Sequence, residues 1–436
     1  MSATTGRSLR FGQLRTIALL FAGYAACYYC RADLSVATPL LVEELGQRGI
    51  SHGEAVVRIG SITSLGVLAY ALGKLFLTGL GDYWGGRRNF LIGVGGATVF
   101  TLLFATGGTL PLFTLAWVGN RLTQSIGWAG LIKVSSKWFD FSSYGTVIGV
   151  LSISYLIGDA LARQQMGMLL AHGYGWRALF VFAAAVAGVA LVANLLLLRE
   201  SRLDEGHAEA RPNPLNLFAA TEAAPAGIRA LLVPLLRSRA FLLVCLLSFA
   251  CTIIRETFNT WNPDYLHDLG FSMSRSATLS AIFPAVGAVS VLVAGWVSDK
   301  LGLSGRSLLL FSGLAATAAA LAVLAFVHPG TTGTVLPVLT IGVVAFCLLG
   351  PYSYLGGAFA LDFGGKQASA ASSGIIDGIG YLGGVLAGDS VARLARALGW
   401  ERVFLALAVI SAAAAICAAC LHLLNVRSAR LAHEIA

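Results

Sequence analysis

The sequence predicts an all-α membrane protein, with twelve transmembrane helices arranged as two pseudo-symmetric halves of six. Three observations support this prediction: the composition, the length of the apolar blocks and a repeat of landmark residues. The chain has 436 residues, of which 57% are hydrophobic and 12% charged, and its mean hydropathy is +0.77. So few charged residues could not keep the surface of a soluble domain wettable, so the composition excludes a soluble protein.

Apolar blocks of helix length follow one another along the whole chain. They lie at 13–40, 57–80, 89–108, 110–136, 144–170, 176–199, 239–264, 276–298, 306–328, 333–360, 369–394 and 401–425. Only helices and closed barrels satisfy every backbone group in lipid, and blocks of this length without alternating polarity cannot be barrel strands. The blocks therefore predict a bundle of twelve membrane-spanning helices.

The positions of the basic residues predict the topology. Arginines precede the first block, Arg87 and Arg88 follow the second, and Lys300 follows the eighth. By the positive-inside rule both termini are expected in the cytoplasm, and no cleavable signal or organelle-targeting segment is expected, which favours a bacterial inner membrane. The net charge of +9 is explained by this topology, so we expect a lipid bilayer and no nucleic acid as partner.

The residue patterns of enzymes and metal sites are not found in this sequence. Cys27 with Cys30, and Cys417 with Cys420, have the CxxC spacing, but they lie in apolar segments without nearby histidines. Neither a phosphate-cradling glycine loop nor a nucleophile–base pattern is apparent. We therefore expect neither an enzyme nor a bound metal or cofactor.

A polar stretch divides the chain into two halves. Residues 200–238 contain prolines and charges but no spanning block, which predicts a cytoplasmic linker between an N-terminal half, 1–199, and a C-terminal half, 239–436. Arg31 and Arg255 are 224 residues apart (255 − 31), and so are Trp176 and Trp400 (400 − 176). The shared offset indicates an internal duplication.

Arg31 lies in the middle of the first predicted span. A charged side chain deep in a bilayer costs about 2.5–3.5 kcal/mol even on insertion scales, so it persists where it faces a cavity or a partner. Helical spacing places Tyr24, Tyr28 and Arg31 on one face, whereas Asp33 points elsewhere. Arg31 is thus not simply neutralised by Asp33.

Arg255, the repeat partner of Arg31, belongs to a polar stripe along the seventh span that includes Asn259. Two arginines at equivalent positions would face a central cavity, where guanidinium groups suit a doubly charged oxyanion such as a phosphoryl group. The alternative is that each arginine snorkels or pairs with a local acid such as Glu256.

The connections after spans 2 and 8 carry a further pattern. The connection after span 8 matches the pattern G-x-x-x-D-[RK]-x-G-[RK]-[RK] at Gly295, Asp299, Lys300 and Gly302. The connection after span 2 keeps Asp82, Gly85, Arg87 and Arg88. Two expected positions of the first connection hold Thr78 and Tyr83 instead. With the twelve-span layout, this pattern resembles the major facilitator superfamily, in which two halves rock about a central site. The resemblance implies gating or conformational roles for Asp82, Arg87, Arg88 and Asp299.

Several spans are similar to those of the organophosphate:phosphate antiporter family. The matching residues are Arg31 and Pro39 in span 1, Lys74 in span 2, Gly127, Trp128, Lys133, Trp138 and Phe139 in span 4, and Arg255, Trp261, Pro263, Tyr265 and Leu266 in span 7. The resemblance implies that Arg31 and Arg255 bind the phosphoryl group and that Lys74 lies near it or in a gating network.

The fifth span departs from the pattern of that family, and the eleventh span contains a further acidic residue. Tyr155 stands where the glycerol-phosphate transporters have a histidine, and Asp159 stands among their glycines. Asp159 either pairs with Arg163, four residues later, or contacts the organic moiety or a proton. Asp377 shares a face with Tyr381, and either binds the substrate or balances a basic residue.

We therefore predict a monomeric secondary transporter that exchanges an organic phosphate, resembling a sugar phosphate or glycerol phosphate, for inorganic phosphate. The predicted substrate-binding residues are Arg31, Arg255, Lys74, Tyr28, Lys133, Tyr155, Asp159, Asn259, Asp377 and Tyr381. The alternatives are a proton-coupled symporter of a carboxylate or phosphonate, with Asp33, Asp159 or Asp377 titrating, and a sugar-phosphate sensor that does not transport.

Overall fold

The computed structural model of the chain describes residues 2–219, 227–271, 276, 279–327 and 335–435. Within these ranges the chain is helical and contains no strand, which confirms the predicted all-α class. Parts of four predicted segments lie outside the described residues. They are residues 277–278 of the span 276–298, residue 328 of the span 306–328, residues 333–334 of the span 333–360 and residues 220–226 of the linker.

The N-terminal half of the sequence forms eight helices. They are α1 (Ser2–Gln47), α2 (His52–Phe76), α3 (Leu80–Trp84), α4 (Gly86–Thr106), α5 (Leu110–Gln124), α6 (Gly127–Trp138), α7 (Tyr144–Ala171) and α8 (Trp176–Leu197). A single 3₁₀ turn, Phe141–Ser143, precedes α7.

The described residues of the remainder form seven more helices. They are α9 (Ile228–Arg237), α10 (Arg239–Asp268), α11 (Ile282–Ala325), α12 (Val335–Tyr352), α13 (Ala360–Gly364), α14 (Ser369–Leu386) and α15 (Asp389–Ile435). A π-helical turn, Leu355–Phe359, joins α12 to α13, and a left-handed Gly399 (φ 79°) interrupts α15.

As far as their residues are described, all twelve predicted spans coincide with helical segments. Among the described residues, nine segments are long and apolar enough to cross a membrane by length and composition. The other three predicted spans correspond to α1, which carries Arg31 and Asp33, to α5 with α6, which are 15 and 12 residues long, and to the glycine- and serine-rich α14. Polar residues within these three segments lower their hydropathy, and breaks shorten their helices, so they are not among the nine.

Two predicted connections have more structure than expected. The backbone stays helical through the predicted connection between spans 8 and 9, because α11 runs from Ile282 to Ala325. The predicted linker contains α9, whose Leu231 and Leu235 are buried. Apolar residues at i and i+4 on one face drive a short helix onto a neighbouring surface, even in a polar stretch.

The chain forms two compact units. Unit 1 consists of residues 1–139, 151–211 and 368–374, and unit 2 of residues 140–150, 212–367 and 375–436. Each unit is thus built mainly from one predicted half and includes a short segment from the other half of the sequence.

The same hydrogen bond occurs once in each unit and supports the duplication. In unit 1 the indole of Trp176 donates to the carboxylate of Glu44 (2.5 Å), and in unit 2 the indole of Trp400 donates to that of Asp268 (2.7 Å). Glu44 and Asp268 are 224 residues apart (268 − 44), which is the offset of the two tryptophans. The first bond ties the end of α1 to the start of α8. The second ties the end of α10 to the part of α15 that begins after Gly399.

Glu44 gives a prediction about stability and pH. Burial acts to raise the pKa of its carboxyl, but hydrogen bonds from Trp176 and Arg177 and the charges of Arg177 and Arg48 outweigh burial and hold this pKa below its ordinary value of 4.5. A carboxyl with a lowered pKa contributes stability that is fully present above about pH 4.5 and lost as the pH falls through its folded-state pKa. Thermal unfolding in detergent, followed from pH 7 to pH 3, should show a smaller acid-induced loss for Glu44→Gln than for the wild type. Parallel loss in both proteins would contradict the assignment.

A close backbone approach positions the connection after α2. A Cβ built on Gly130 of α6 would lie 2.5 Å from the backbone nitrogen of Phe90 and 2.8 Å from the carbonyl oxygen of Gly86. Since no side chain fits there, glycine lets α6 pack directly on the start of α4. This contact holds Lys133, one turn further along α6, beside Asp82 of α3.

Candidate functional site

Three cationic side chains surround one buried tyrosine ring in unit 1. Tyr70 of α2 is 1% exposed. The Cζ of Arg31 lies 4.4 Å from the centre of its ring, the Cζ of Arg121 4.9 Å and the Nζ of Lys74 5.3 Å. The negative face of an aromatic ring attracts cations at these distances. We call Arg31, Lys74, Arg121 and Tyr70 the cation cluster.

Arg31 is oriented by two further contacts. Its Nε donates to the side-chain oxygen of Gln124 (2.7 Å), and its Nη1 donates to the hydroxyl of Tyr28 (3.3 Å). The guanidinium also lies over the Tyr28 ring, 4.6 Å from its centre. The Tyr28 ring in turn lies 5.6 Å from that of Tyr155. The structure thus brings Arg31, Lys74, Tyr28 and Tyr155, four of the predicted substrate-binding residues, close to one another.

A buried amide network stands behind Arg31. Gln124 donates to the side chain of Asn120 (2.6 Å) and to the carbonyl oxygen of Cys30 (3.4 Å), and Asn120 donates to the hydroxyl of Thr101 (2.9 Å). Gln124, Asn120 and Thr101 are each 1% exposed. A satisfied buried network is rigid, because each member loses a hydrogen bond if it rotates. It therefore fixes the oxygen to which Arg31 donates.

Asp33 lies close enough to Arg121 of the cation cluster for the two charges to attract each other. Its side chain is fully buried, its Oδ1 accepts a hydrogen bond from the Leu34 amide (2.7 Å), and its Oδ2 has no hydrogen-bond partner among the described residues. This agrees with the prediction that Asp33 does not neutralise Arg31.

Asp159 and Arg163 form an ion pair in α7. Arg163 Nε lies 2.8 Å from Asp159 Oδ2, and the two side chains are 51% and 38% exposed. Of the two roles left open for Asp159, the structure contains the intrahelical pair. A pair this exposed contributes little to stability.

Arg255, the equivalent of Arg31 in unit 2, is paired with its neighbour. It forms an ion pair with Glu256 and lies over the ring of Tyr352, 4.7 Å from its centre. The alternative that Arg255 pairs with a local acid is therefore what the structure contains. Asn259, in the same stripe of α10, is exposed.

Asp377 and Tyr381 lie on α14 within unit 2, and both side chains are half-buried. A Cβ built on Gly356 would overlap the Asp377 carboxylate, at 1.9 Å from Oδ1. The glycine of the π-helical turn therefore allows this acid to approach the backbone. The predicted acid thus has a defined place beside the irregular segment that follows α12.

Asp82 and Lys133 form a buried ion pair in unit 1. The Nζ of Lys133 lies 2.8 Å from Asp82 Oδ1, and the side chains are 3% and 1% exposed. Asp82 also accepts hydrogen bonds from the amides of Ala370 (3.1 Å) and Ala371 (2.7 Å), in the first turn of α14. Lys133, predicted to bind substrate, is thus joined to a residue that was predicted to act in gating.

Asp299 makes the corresponding contacts in unit 2. Its carboxylate accepts from the amides of Gly145 (2.8 Å) and Thr146 (2.7 Å), in the first turn of α7, and it lies 3.5 Å from Arg306. Arg306 also pairs with Asp362. Carboxylates are favourable at helix N-termini because they accept from unpaired amides and complement the helix dipole.

Arg87 and Arg88 differ in their environment. The side chain of Arg87 donates to the carbonyl oxygens of Leu198 (2.7 Å) and Leu195 (2.6 Å), so it caps the C-terminus of α8. Its backbone amide donates to Glu200 (2.7 Å). Arg88 is exposed.

Three residues of the site are absent from the sequence-based prediction: Tyr70, Arg121 and Gln124. Arg121 lies inside the predicted span 110–136, so the cost of intramembrane charge that identified Arg31 applies to it equally. Tyr70 is four residues before Lys74 and therefore on the same helical face. Gln124 could not be predicted in this way, because a single amide side chain in a membrane span is compatible with many structural roles.

Comparisons with known proteins connect this geometry to transport. A family model described as Major Facilitator Superfamily matches residues 19–388. The chain is 27% identical to the membrane sensor protein UhpC of Escherichia coli, over 94% of this chain and 91% of that protein. It is 26% identical to the probable hexose phosphate transport protein of Chlamydia trachomatis, over 92% and 89% of the two chains. The glycerol-3-phosphate transporter of Bacillus subtilis is 23% identical, over 84% and 82%.

Solved structures show the same fold. The fucose:proton symporter of Escherichia coli superposes with a TM-score of 0.72 at 13% identity, covering 93% of this chain and 98% of that one. A proton:xylose symporter superposes with a TM-score of 0.71 at 13% identity, covering 93% and 94%. The solved structures confirm the expected fold. The family model and the curated relatives describe transport and sensor proteins rather than enzymes, as expected.

Proposed function

Because the chain belongs to the Major Facilitator Superfamily, we propose that it is a secondary transporter that exchanges an organic phosphate for inorganic phosphate by alternating access. The observation that carries the proposal is the cation cluster of unit 1, in which Arg31 is held by Gln124 and Tyr28. Arginine and lysine side chains that lie together in a membrane-spanning region suit the binding of an anionic phosphoryl group. Relatives named as hexose phosphate and glycerol-3-phosphate transporters agree with a phosphorylated ligand.

In this proposal Arg31 and Arg255 bind the phosphoryl group. A planar guanidinium donates two parallel hydrogen bonds to an oxyanion, which an ammonium group cannot do. The structure pairs Arg255 with Glu256, and in this proposal the phosphoryl group replaces Glu256 as the partner of Arg255. Lys74, Tyr28 and Tyr155 complete the phosphoryl site.

Exchange rather than one-way transport follows from the charges. Without an anion, the like charges of the cluster are costly to enclose away from water, which disfavours the closed intermediate through which the carrier must pass. A bound phosphate or phosphate ester removes that penalty and so allows the conformational change. The carrier therefore returns only when loaded.

The organic moiety is proposed to contact the acids and amides of the second unit. Asp377, Tyr381 and Asn259 offer acceptors and donors for hydroxyl groups. Asp159 takes part by holding Arg163 in place.

Gating is proposed to reside in Asp82 and Asp299. Each carboxylate accepts hydrogen bonds from the first turn of a helix that belongs to the other half of the sequence. A rearrangement of the two halves must break these bonds, so they bias the carrier toward one conformation. Lys133 and Arg87 support this function: Lys133 neutralises Asp82, and Arg87 ties the start of α4 to the end of α8.

The protein is proposed to act as a monomer in a bacterial inner membrane, with both termini in the cytoplasm. The basic residues before α1 and in the connections at Arg87, Arg88 and Lys300 support that orientation.

Two specific observations favour other functions. The fully buried Asp33 has an oxygen without a hydrogen-bond partner among the described residues, which suits a proton-coupled symporter. The relative named as a membrane sensor protein suits a receptor that binds a sugar phosphate without transporting it. Both predict a different result in the same experiment.

The proposal is tested by uptake of radiolabelled phosphate into proteoliposomes that contain the purified protein and are either preloaded with phosphate or empty. We expect rapid uptake into loaded vesicles and little into empty ones, with inhibition by unlabelled organic phosphates outside. Uptake that needs a proton gradient and no internal phosphate would support the symporter instead. Ligand-induced thermal stabilisation without any uptake would support the sensor.

A further inference from the structure

The short helix α9 of the linker has an exposed apolar edge and two exposed arginines that the transport cycle does not use. We propose that α9 docks on the membrane surface and that Arg229 and Arg237 bind the phosphate groups of anionic phospholipids there. This inference goes beyond the proposed function, because it holds whether or not the protein exchanges phosphate.

The first argument is that α9 is more apolar than its packing requires. The helix packs on α10, and its Leu231 and Leu235 are buried. Ile228 and Leu236, however, are 66% and 49% exposed. At about 100° per residue these two side chains lie about 80° apart around the helix axis, beside the buried leucines. A helix that met water on this side would carry polar residues there.

The second argument is that the basic residues of α9 adjoin this apolar edge. Arg229 and Arg237 are exposed, and they lie about 20° and about 100° beyond Leu236 around the helix axis. The ten residues of α9 include no acid. A helix of this pattern lies in the plane of the membrane interface, with its apolar side chains at the acyl chains and its arginines at the headgroups.

The third argument is the depth at which α9 ends. Only Ser238 separates it from α10, which is long and apolar enough to cross the membrane. Leu242 and Leu246, near the start of α10, are exposed, as side chains that face acyl chains must be. The end of α9 therefore lies where α10 enters the membrane. Arg239, the first residue of α10, is also exposed and adds a third guanidinium group at this depth.

The charge of these groups selects the kind of lipid. A guanidinium donates two parallel hydrogen bonds to phosphate oxygens. In phosphatidylcholine the choline group balances the phosphate, whereas phosphatidylglycerol keeps a net negative charge, and each basic residue near an anionic surface strengthens binding about fivefold. Phosphatidylglycerol is therefore the better ligand. Its binding fixes the end of α10, the helix that carries Arg255.

The test is hydrogen–deuterium exchange of the backbone amides of residues 228–237, with the purified protein in lipid nanodiscs. One kind of disc contains phosphatidylcholine alone, and the other contains equal parts of phosphatidylcholine and phosphatidylglycerol with the same acyl chains. A helix of ten residues is marginal in water by itself, so its exchange rate reports on what covers it.

We expect exchange of α9 in the wild type to be about tenfold slower in the discs that contain phosphatidylglycerol, from the attraction of two arginines. Arg229→Gln with Arg237→Gln should remove most of this difference. The matched control is Arg58→Gln with Arg402→Gln, which removes two exposed arginines outside α9 and should keep the difference. Ile228→Ser with Leu236→Ser should speed exchange in both kinds of disc, since both contain the same acyl chains.

The comparison of the two kinds of disc is made within each protein, so a change in intrinsic exchange rate cancels, and the amides of α8 check that each variant is folded. Equal exchange of α9 in both discs by the wild type, or a difference that persists in Arg229→Gln with Arg237→Gln, would overturn the inference. So would unchanged exchange in the serine variant. If soluble glycerophosphoglycerol protects α9 equally in phosphatidylcholine discs, the arginines bind a soluble phosphate diester, and the membrane is not their partner.

Discussion

Replacing Arg31 by lysine is expected to reduce the rate of phosphate exchange on the order of 100-fold, although the positive charge is retained. Lysine has no Nε to donate to Gln124, no planar group to lie over Tyr28 and Tyr70, and no pair of parallel donors for the phosphoryl oxygens. Losing one partner of a buried charged hydrogen bond costs about 2–5 kcal/mol, and each 1.4 kcal/mol is a factor of ten.

The measurement is exchange in vesicles loaded with phosphate, with protein amount and folding checked by gel filtration. Arg58→Lys is the control, because it makes the same chemical change at an exposed position of α2. A rate for Arg31→Lys within about threefold of the wild type would mean that charge alone suffices at this position, and would remove Arg31 from the direct contact with phosphoryl oxygens.

The site could be predicted from the sequence where a single residue violates a strong rule. Arg31 was identifiable because a charge inside an apolar block is costly, and the helical spacing to Tyr28 placed an aromatic partner on its face. Tyr70 and Gln124 break no such rule, since tyrosine and glutamine are tolerated in many environments. Their roles depend on which helices are neighbours, which no local pattern encodes.

The pairing of charges was the least predictable feature. Lys133 and Asp82 are 51 residues apart in the chain and were placed in different functional groups, yet they form one buried pair. Arg255 and Glu256 are adjacent, and their pairing was foreseen as an alternative. A local pair can be tested against helical geometry, whereas a distant pair requires the packing of α3 on α6.

The fold was more predictable than its details. The apolar blocks located the long helical segments of the described residues, because the lipid environment imposes length and hydrophobicity directly. The division of span 4 into α5 and α6, and the helix α9 in the linker, were not predicted. The linker is also anchored: Asn213 donates to Asp362 (3.3 Å) and the Leu217 amide to the carbonyl oxygen of Phe363 (3.0 Å). Such contacts are set by tertiary packing rather than by composition.

Replacing Asp82 by asparagine is expected to destabilise the protein by about 3–5 kcal/mol. The change leaves the ammonium group of Lys133, with its side chain 3% exposed, without its charged partner, and a buried charge that has lost its partner costs about that much. Burial raises the pKa of the Asp82 carboxyl, while Lys133 and the amides of Ala370 and Ala371 act to lower it. Asparagine keeps one oxygen, which can accept from one of the two amides, so the loss reports on the ion pair together with one hydrogen bond.

The double variant Asp82→Asn with Lys133→Gln tests this reasoning. Removing both charges should recover much of the stability, because two neutral groups need no counter-charge, whereas either single variant leaves one charge buried. The free energy of unfolding in detergent is measured for the four proteins of the cycle. The exposed pair of Glu54 and Arg58 provides the matched cycle, for which a coupling of at most about 1 kcal/mol is expected.

Additive losses at Asp82 and Lys133 would show that the two side chains stabilise the protein through other contacts. Recovery of stability without recovery of phosphate exchange would instead separate the two roles of Asp82, since the neutral pair could support the fold while Asp82 is still needed for gating.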